Sequence, residues 1–450
     1  MEIKYFKICD IGMYESQTIK VAPTDDYPDS NATVVIGNNG SGKTTLLQAV
    51  ATSLSWLVAR ISSEKGVGKL IEEDSIRNSA NDALIGVCVR ERLLKDFQER
   101  DWELARKRKG KNGRFQSDLQ ELALLANFFR QRLTDDPSAS LPLVAFYPAE
   151  RGVLDIPLKI RKKRLLQQID GFENSLGQSV DFRRFFEWFR EREDVENERG
   201  VSDETITLLK KELKSDEQAL QRLEQLIESK KDRQLTAVRS AISSFMPDLK
   251  NLRVRRKPRL HMSVDKNGET FDVSQLSQGE KSLMALVGDI ARRLAMMNPA
   301  LENPLHGDGV VLIDEVDLHL HPQWQRSLIQ RLTSTFPNIQ FVLTTHSPIV
   351  ISDNRNILTY LLNDGEVSQL PSQFGKDVNS VLLDVMNTNI RNSEVEQKID
   401  ALFDSIQEVR IVDACGQLEE LEQQLSADNI ELMRARLLLR KLELKREKNH

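Results

Sequence analysis

Between Gly37 and Thr44 the chain reads GNNGSGKT, behind the apolar run TVVI (Thr33 to Ile36) and ahead of a helix-like stretch, TTLLQAVATSL. Glycines at this spacing let the backbone curl until several N–H groups converge, and the start of the following helix adds unpaired donors of its own. Such an array suits a chain of phosphates. Gly37, Asn38, Asn39, Gly40, Ser41, Gly42, Lys43, Thr44 and Thr45 are therefore the candidate nucleotide-binding residues, with Lys43 as the point charge for the β- and γ-phosphates. The Thr44 hydroxyl is placed to hold Mg²⁺. The expected ligand is a nucleoside triphosphate.

A second constellation lies at residues 309–322, GVVLIDEVDLHLHP, where the apolar run Val310 to Ile313 ends in Asp314 and Glu315. This pattern predicts a buried parallel strand whose carboxyl end carries the pair, the end at which open α/β sheets bind ligands. Asp314 is the second candidate Mg²⁺ ligand, and Glu315 the candidate general base for water attacking a γ-phosphate. A helix-spaced segment starting at Pro322 leads into another apolar strand, IQFVLTTHSP, which ends beside His346. A right-handed strand–helix–strand crossover brings His346 to the same sheet edge as Glu315, making it the second candidate catalytic residue. His319 and His321 have metal-like spacing but no evident third ligand, so a loop-shaping or contact role is the expectation.

One further motif, QLSQGEKSLMALVGDIARRLA from Gln275, places Ser277 and Gly279 ahead of an amphipathic helix. Nothing in its own subunit is evident to neutralise that helix start, so an outside anion is expected there. With this motif in place, the chain resembles the ABC-type ATPases of the RecF/SMC-like branch. LSQGEKS is similar to their signature, TTHSP to their switch histidine, and the four motifs occur in order across residues 33 to 348. The resemblance implies ATP and Mg²⁺ as cofactors. It also implies a dimer or higher homo-oligomer in which Ser277, Gln278, Gly279 and Glu280 close, in trans, over the nucleotide of a second subunit. Transporter-type relatives carry a proline after the glutamate, whereas DEVDLHLHP stands here. The LHLHP tail most resembles the PtuA ATPases of Septu-type and some retron-associated anti-phage systems. That resemblance implies a separate HNH nuclease as partner, since the sequence carries no nuclease motif of its own. The alternative is a DNA-repair or clamp-type ATPase acting without a dedicated nuclease. A glutamine-loop equivalent is expected near LPLVAFYPAERGV (Leu141 to Val153), with Glu150 and Arg151 as minor candidates.

The elements that must position these residues follow from pattern. The fold expected is α/β: a two-lobed ABC-type head with mixed and parallel sheets, a helical, short coiled-coil insertion and a helical C-terminal region. The expected division is 1–157 (phosphate-loop lobe), 158–250 (helical insert), 251–375 (signature, acidic strand and histidine) and 376–450 (helical). Residues 61–140 read as mainly polar and helical, and 206–234 as one helix of about 45 Å. Asn363, Asp364 and Gly365 read as a hairpin turn. A net charge of −5 over 450 residues excludes a generic nucleic-acid coat, so contact with nucleic acid is expected only at local basic clusters. Those are RKRKGKNGR at 106–114 and the group Arg253, Arg255, Arg256, Lys257 and Arg259. Cys9, Cys88 and Cys415 show no CxxC spacing, which fits a reducing cytoplasm. No apolar run reaches the ~20 residues that span a bilayer.

Overall fold

The computed structural model describes residues 1–93, 96–149, 167–177, 182–199, 211–213, 217–386, 392–426 and 429–448. They fall into two units, Met1–Lys376 and Asp377–His450. The first begins with β1 (Glu2–Ile11) and β2 (Tyr14–Lys20), then β3 (Ala32–Gly37) and α1 (Lys43–Ser62). A long hairpin follows, β4 (Asp82–Leu93) and β5 (Asp96–Lys107), completing an antiparallel sheet of order β2-β1-β4-β5. The helical expectation for 61–140 is therefore wrong across the hairpin. Trp102 and Leu104 are buried while the alternating Asp101 and Glu103 lie on the outer face, a period of two that a count of polar residues conceals.

The helix α2 (Gln120–Asp135) leads to β6 (Leu143–Tyr147). The helices α3 (Phe182–Arg199), α4 (Glu217–Lys230) and α5 (Arg233–Phe245) come next. The single helix expected over 206–234 is interrupted within the described residues. The Asp232 carboxylate accepts the Leu235 N–H at 2.9 Å and caps a new helix at Arg233. A small sheet, β7 (Leu249–Arg255), β8 (His261–Lys266) and β9 (Glu269–Asp272), precedes α6 (Gln278–Met297), which is buried from Ser282 to its end.

The site is carried by β10 (Gly309–Ile313), α7 (Pro322–Thr335), β11 (Ile339–Thr345) and α8 (Pro348–Ser352). The strands β12 (Leu358–Asn363) and β13 (Glu366–Leu370) close the unit. The central sheet runs β13-β12-β3-β11-β10-β6, with β13 antiparallel and the other five strands parallel. β3, β10 and β11 are buried along their whole length, as strands covered on both faces must be. The helix α1 packs against strands of both large sheets, and its apolar residues face all round. Asp364 (φ 47°) and Gly365 (φ 85°) form the two-residue turn between β12 and β13.

The second unit holds α9 (Val378–Asp384), α10 (Ser393–Gln407), α11 (Ile411–Gln424) and α12 (Ile430–Lys448). Ile399, Leu402 and Ile406 pack with Ala414, Leu418 and Leu421 and with Leu432, Ala435 and Leu439, so the last three helices share one core. The helix α12 is apolar on two sides. Ile430, Met433, Leu437 and Leu444 are 75, 43, 71 and 51 % exposed, on the face opposite the buried one. At 3.6 residues per turn these four lie within about 60° of one another.

Candidate active site

The parallel sheet delivers three strand ends to one edge. β3 ends in the phosphate loop, β10 in Asp314 and Glu315, and β11 in Thr344, Thr345 and His346. The loop is closely packed from below. A side chain at Gly37 would meet the Leu362 carbonyl at 2.6 Å, and one at Gly42 (φ 93°) would meet the buried Tyr14 hydroxyl at 2.7 Å. Tyr14 also donates to the Ser41 carbonyl at 3.3 Å. Tyr14 thus braces the loop, and no motif in the sequence marks it.

Lys43 is buried, and its ammonium donates to the carbonyls of Gly37 (2.9 Å) and Asn38 (3.0 Å). Its Nζ lies 3.5 Å from His346 Nδ1. Burial pulls the Lys43 pKa below the ordinary lysine value, opposed by the charges of Glu315, Asp314 and Asp317. Burial, and then the Lys43 charge, also lower His346, against the pull of Glu315. An imidazole facing an ammonium through Nδ1 accepts there and carries its proton on Nε2, which points to Glu315 Oε1 at 3.8 Å. The neutral ring stands between a cation and a carboxylate.

The Thr44 hydroxyl donates to Asp314 Oδ2 at 2.7 Å, so the two expected Mg²⁺ ligands meet. The Asp314 N–H donates to the Tyr147 carbonyl at 2.8 Å, which fixes the strand end against β6. Glu315 adopts a left-handed backbone (φ 44°). The Thr344 hydroxyl accepts the Glu315 N–H at 2.8 Å and donates to Asp314 Oδ1 at 2.5 Å. Thr345 donates to Asp317 Oδ1 at 2.5 Å. In TTHSP the histidine is legible from its place past the strand, and the two hydroxyls beside an acidic strand are the signal for the rest.

Around the signature the structure corrects one expectation. Ser277 caps α6, accepting the Glu280 N–H at 3.3 Å, while its own N–H donates back to Glu280 Oε2 at 3.0 Å. Lys266 holds the other Glu280 oxygen at 2.7 Å. The helix start is therefore neutralised within its own subunit, by a reciprocal box read from Ser-x-x-Glu. Gly279 is needed for another reason: a Cβ there would lie 2.7 Å from the His319 carbonyl. Gln278 follows the Ser277 cap as the first residue of α6. Among the described residues, no hydrogen bond or ion pair joins Ser277–Glu280 to residues 37–45.

His321 Nδ1 accepts the Gln323 N–H at 3.3 Å and caps α7, and His319 takes a left-handed conformation (φ 63°); both shape the loop. Among the described residues, no group of three His, Cys, Asp or Glu is arranged to hold a metal. Part of the basic cluster at 106–114 is tied inward. Arg106 reaches the Ile71 carbonyl at 2.5 Å, Arg108 the Ile76 carbonyl at 2.9 Å, and Arg114 the carboxylates of Asp10 and Asp82. Arg256 pairs with Asp194, and Arg259 with Asp272 at 3.5 Å. Glu150 and Arg151 lie outside the described residues. A cavity of about 470 Å³ opens beside Thr45, lined by Ile11, Gln48, Lys69, Ile71 and Phe146 among others. No helix among the described residues is long and apolar enough to cross a membrane.

The chain is 35 % identical over 389 residues to "Retron Vc95 probable ATPase" of Vibrio cholerae serotype O1 biovar El Tor, covering 80 % of this chain and 75 % of that protein. It is 32 % identical over 420 residues to "Retron Ec83 probable ATPase" of Escherichia coli, covering 84 % and 75 %. A shorter match, 36 % over 124 residues, joins it to "Septu protein PtuA" of Bacillus mycoides (strain KBAB4), covering 24 % of this chain and 16 % of that one. The family model described as "AAA domain, putative AbiEii toxin, Type IV TA system" matches residues 32–352, from the phosphate-loop strand to the helix after His346. The chain is an ATPase, and it belongs to that AAA-domain family, with retron and Septu ATPases among its relatives.

Proposed function

We propose that this chain is the ATP-hydrolysing switch subunit of an anti-phage defence complex, in which ATP-dependent association of two heads controls a partner HNH nuclease. The observation that carries the catalytic half is the convergence of Lys43, His346 and Glu315 at one sheet edge, with His346 3.5 Å from the lysine and 3.8 Å from the glutamate. The loop Gly37–Thr45 holds the phosphates through its N–H groups, and Lys43 exchanges its carbonyl partners for phosphate oxygens. The cavity beside Thr45 receives the nucleoside. Thr44 Oγ1 and Asp314 Oδ2 are the hard oxygen donors Mg²⁺ takes, and when bound the ion would neutralise phosphate charge. Glu315 takes the proton of the attacking water. His346 donates through its Nε2–H to the γ-phosphate, holding the terminal group in line as charge develops on it.

The signature residues Ser277–Glu280 make no hydrogen bond to their own phosphate loop among the described residues, and in this reading they act on a second subunit's nucleotide. A phosphate arriving at α6 competes with the Glu280 carboxylate for Ser277. That competition makes closure depend on the full triphosphate.

The defence half is supported by the retron and Septu relatives. The surface that supports a partner is the outer stripe of α12, flanked by the exposed Arg434, Arg440 and Lys441. Such a stripe fits an acidic amphipathic helix of another protein better than a second copy of itself. The test is the double substitution Leu437→Glu and Leu444→Glu, with ATP binding and capture of a co-expressed HNH nuclease both measured. Capture should be lost and ATP binding kept. Undiminished capture would move docking to residues 158–250, and no capture by the unaltered chain would favour the DNA-repair reading.

A further inference from the structure

One residue beside the site has no assigned role and makes more contacts with the acidic strand than any motif requires. Thr344 is completely buried at the end of β11, one step past Leu343, which pairs with Ile313 of β10. Its hydroxyl donates to Asp314 Oδ1 (2.5 Å) and accepts the N–H of Glu315 (2.8 Å), and its carbonyl accepts the N–H of Val316 (2.9 Å). Three successive residues of the acidic turn thus hang on one threonine. The middle one, Glu315, holds a backbone conformation (φ 44°) that a residue with a side chain adopts only when its surroundings impose it.

We propose that Thr344 is a positioning residue for hydrolysis. Its single hydroxyl fixes the rotamer of Asp314 and the left-handed backbone of Glu315, and so sets the angle between the metal-facing and water-facing carboxylates. The hydroxyl is used as donor and acceptor at once, so no aliphatic residue of the same shape can replace it, whereas serine can. With the hydroxyl gone, Asp314 loses a donor on the side away from Thr44. The Glu315 N–H loses its Thr344 acceptor, and the turn relaxes toward ordinary backbone angles. The inference rests on the reading of Glu315 as the base, and is framed so that the two can fail separately.

The test compares Thr344→Val, which keeps the shape, with Thr344→Ser, which keeps the hydroxyl. Four quantities are measured on the full chain: ATP affinity in EDTA by calorimetry, kcat, the Mg²⁺ concentration for half-maximal activity, and amide exchange resolved residue by residue over 309–320. For Thr344→Val we expect ATP affinity within about twofold of wild type and kcat down about 10- to 100-fold. The Mg²⁺ requirement should rise, and exchange should speed at Glu315 but not along β10. Thr344→Ser should restore all three. Wild-type kcat and exchange in Thr344→Val would overturn the proposal. So would equal losses in both variants, or faster exchange along the whole of β10, because these indicate packing alone. If Glu315→Gln hydrolyses ATP normally, the base assignment fails while the exchange comparison still decides Thr344.

Discussion

Lys43 and Glu315 sit on either side of His346, and each predicts a different kind of loss. Lys43 is the one cation inside a loop of backbone dipoles, held by two carbonyls and facing His346 Nδ1 at 3.5 Å. Lys43→Ala should lower ATP affinity about 10- to 100-fold in calorimetry while leaving the melting temperature close to wild type. Glu315→Gln keeps the shape and loses the proton acceptor, so it should bind ATP within about twofold and hydrolyse it at least about 100-fold more slowly. His346 supplies a pH signature. Its pKa in the folded chain lies below the ordinary value of 6.5, so the unfolded chain takes up this proton first as pH falls. Its contribution therefore favours folding less and less below about pH 6.5, and levels off only once the folded ring is protonated. Melting temperatures of wild type and His346→Gln, measured from pH 5 to 7.5, should diverge in that direction, the wild type losing ground on the acid side. Parallel curves would mean the ring is not held neutral between Lys43 and Glu315.

At the scale of elements, the signature helix gives the sharpest prediction. Ser277→Arg removes the cap on α6 and sets a bulky cation where the proposed trans site would take a partner's phosphate. Hydrolysis should be lost and ATP affinity kept, with a stability cost of about 1 kcal/mol from the cap alone. Hydrolysis at the wild-type rate in this variant would rule out a role for Ser277 in trans. The phosphate loop, the acidic strand and the histidine strand were legible because each couples an apolar run to a polar end, and Asp364-Gly365 because a two-residue turn demands positive φ. The β4–β5 hairpin was not, since Glu99, Asp101 and Glu103 on its outer face give β5 a composition that reads as solvated helix. The break at Asp232 was hidden because the apolar 3-and-4 spacing runs up to it, and only the capping bond reveals that a new helix starts. Glu280 was assigned to the site while its local duty, closing a box on Ser277, went unread, although the spacing Ser-x-x-Glu carries it. Tyr14 has no sequence signal beyond an aromatic at the start of a half-exposed strand, and Thr344 none beyond a hydroxyl near the end of a buried strand beside the acidic pair.

At the scale of the whole molecule, two separate kinds of surface are left for other chains. The first unit offers a nucleotide edge and a signature helix start, which in the proposed reading complete one site when two copies meet. The second unit offers a helix, α12, whose inward face is used by its own core and whose outward stripe is not. The proposed association of heads and the proposed docking of a partner thus draw on different residues, as a switch requires if nucleotide is to control an effector it never touches. The measurement that reaches this claim most directly is hydrolysis by a mixture of two inactive variants, Lys43→Ala and Ser277→Arg. A mixed dimer pairs the intact loop of one with the intact signature of the other. Equimolar mixing, with free exchange of subunits, should restore about a quarter of the wild-type rate, one active site in half of the dimers. A mixture no more active than the mean of the two variants alone would contradict it.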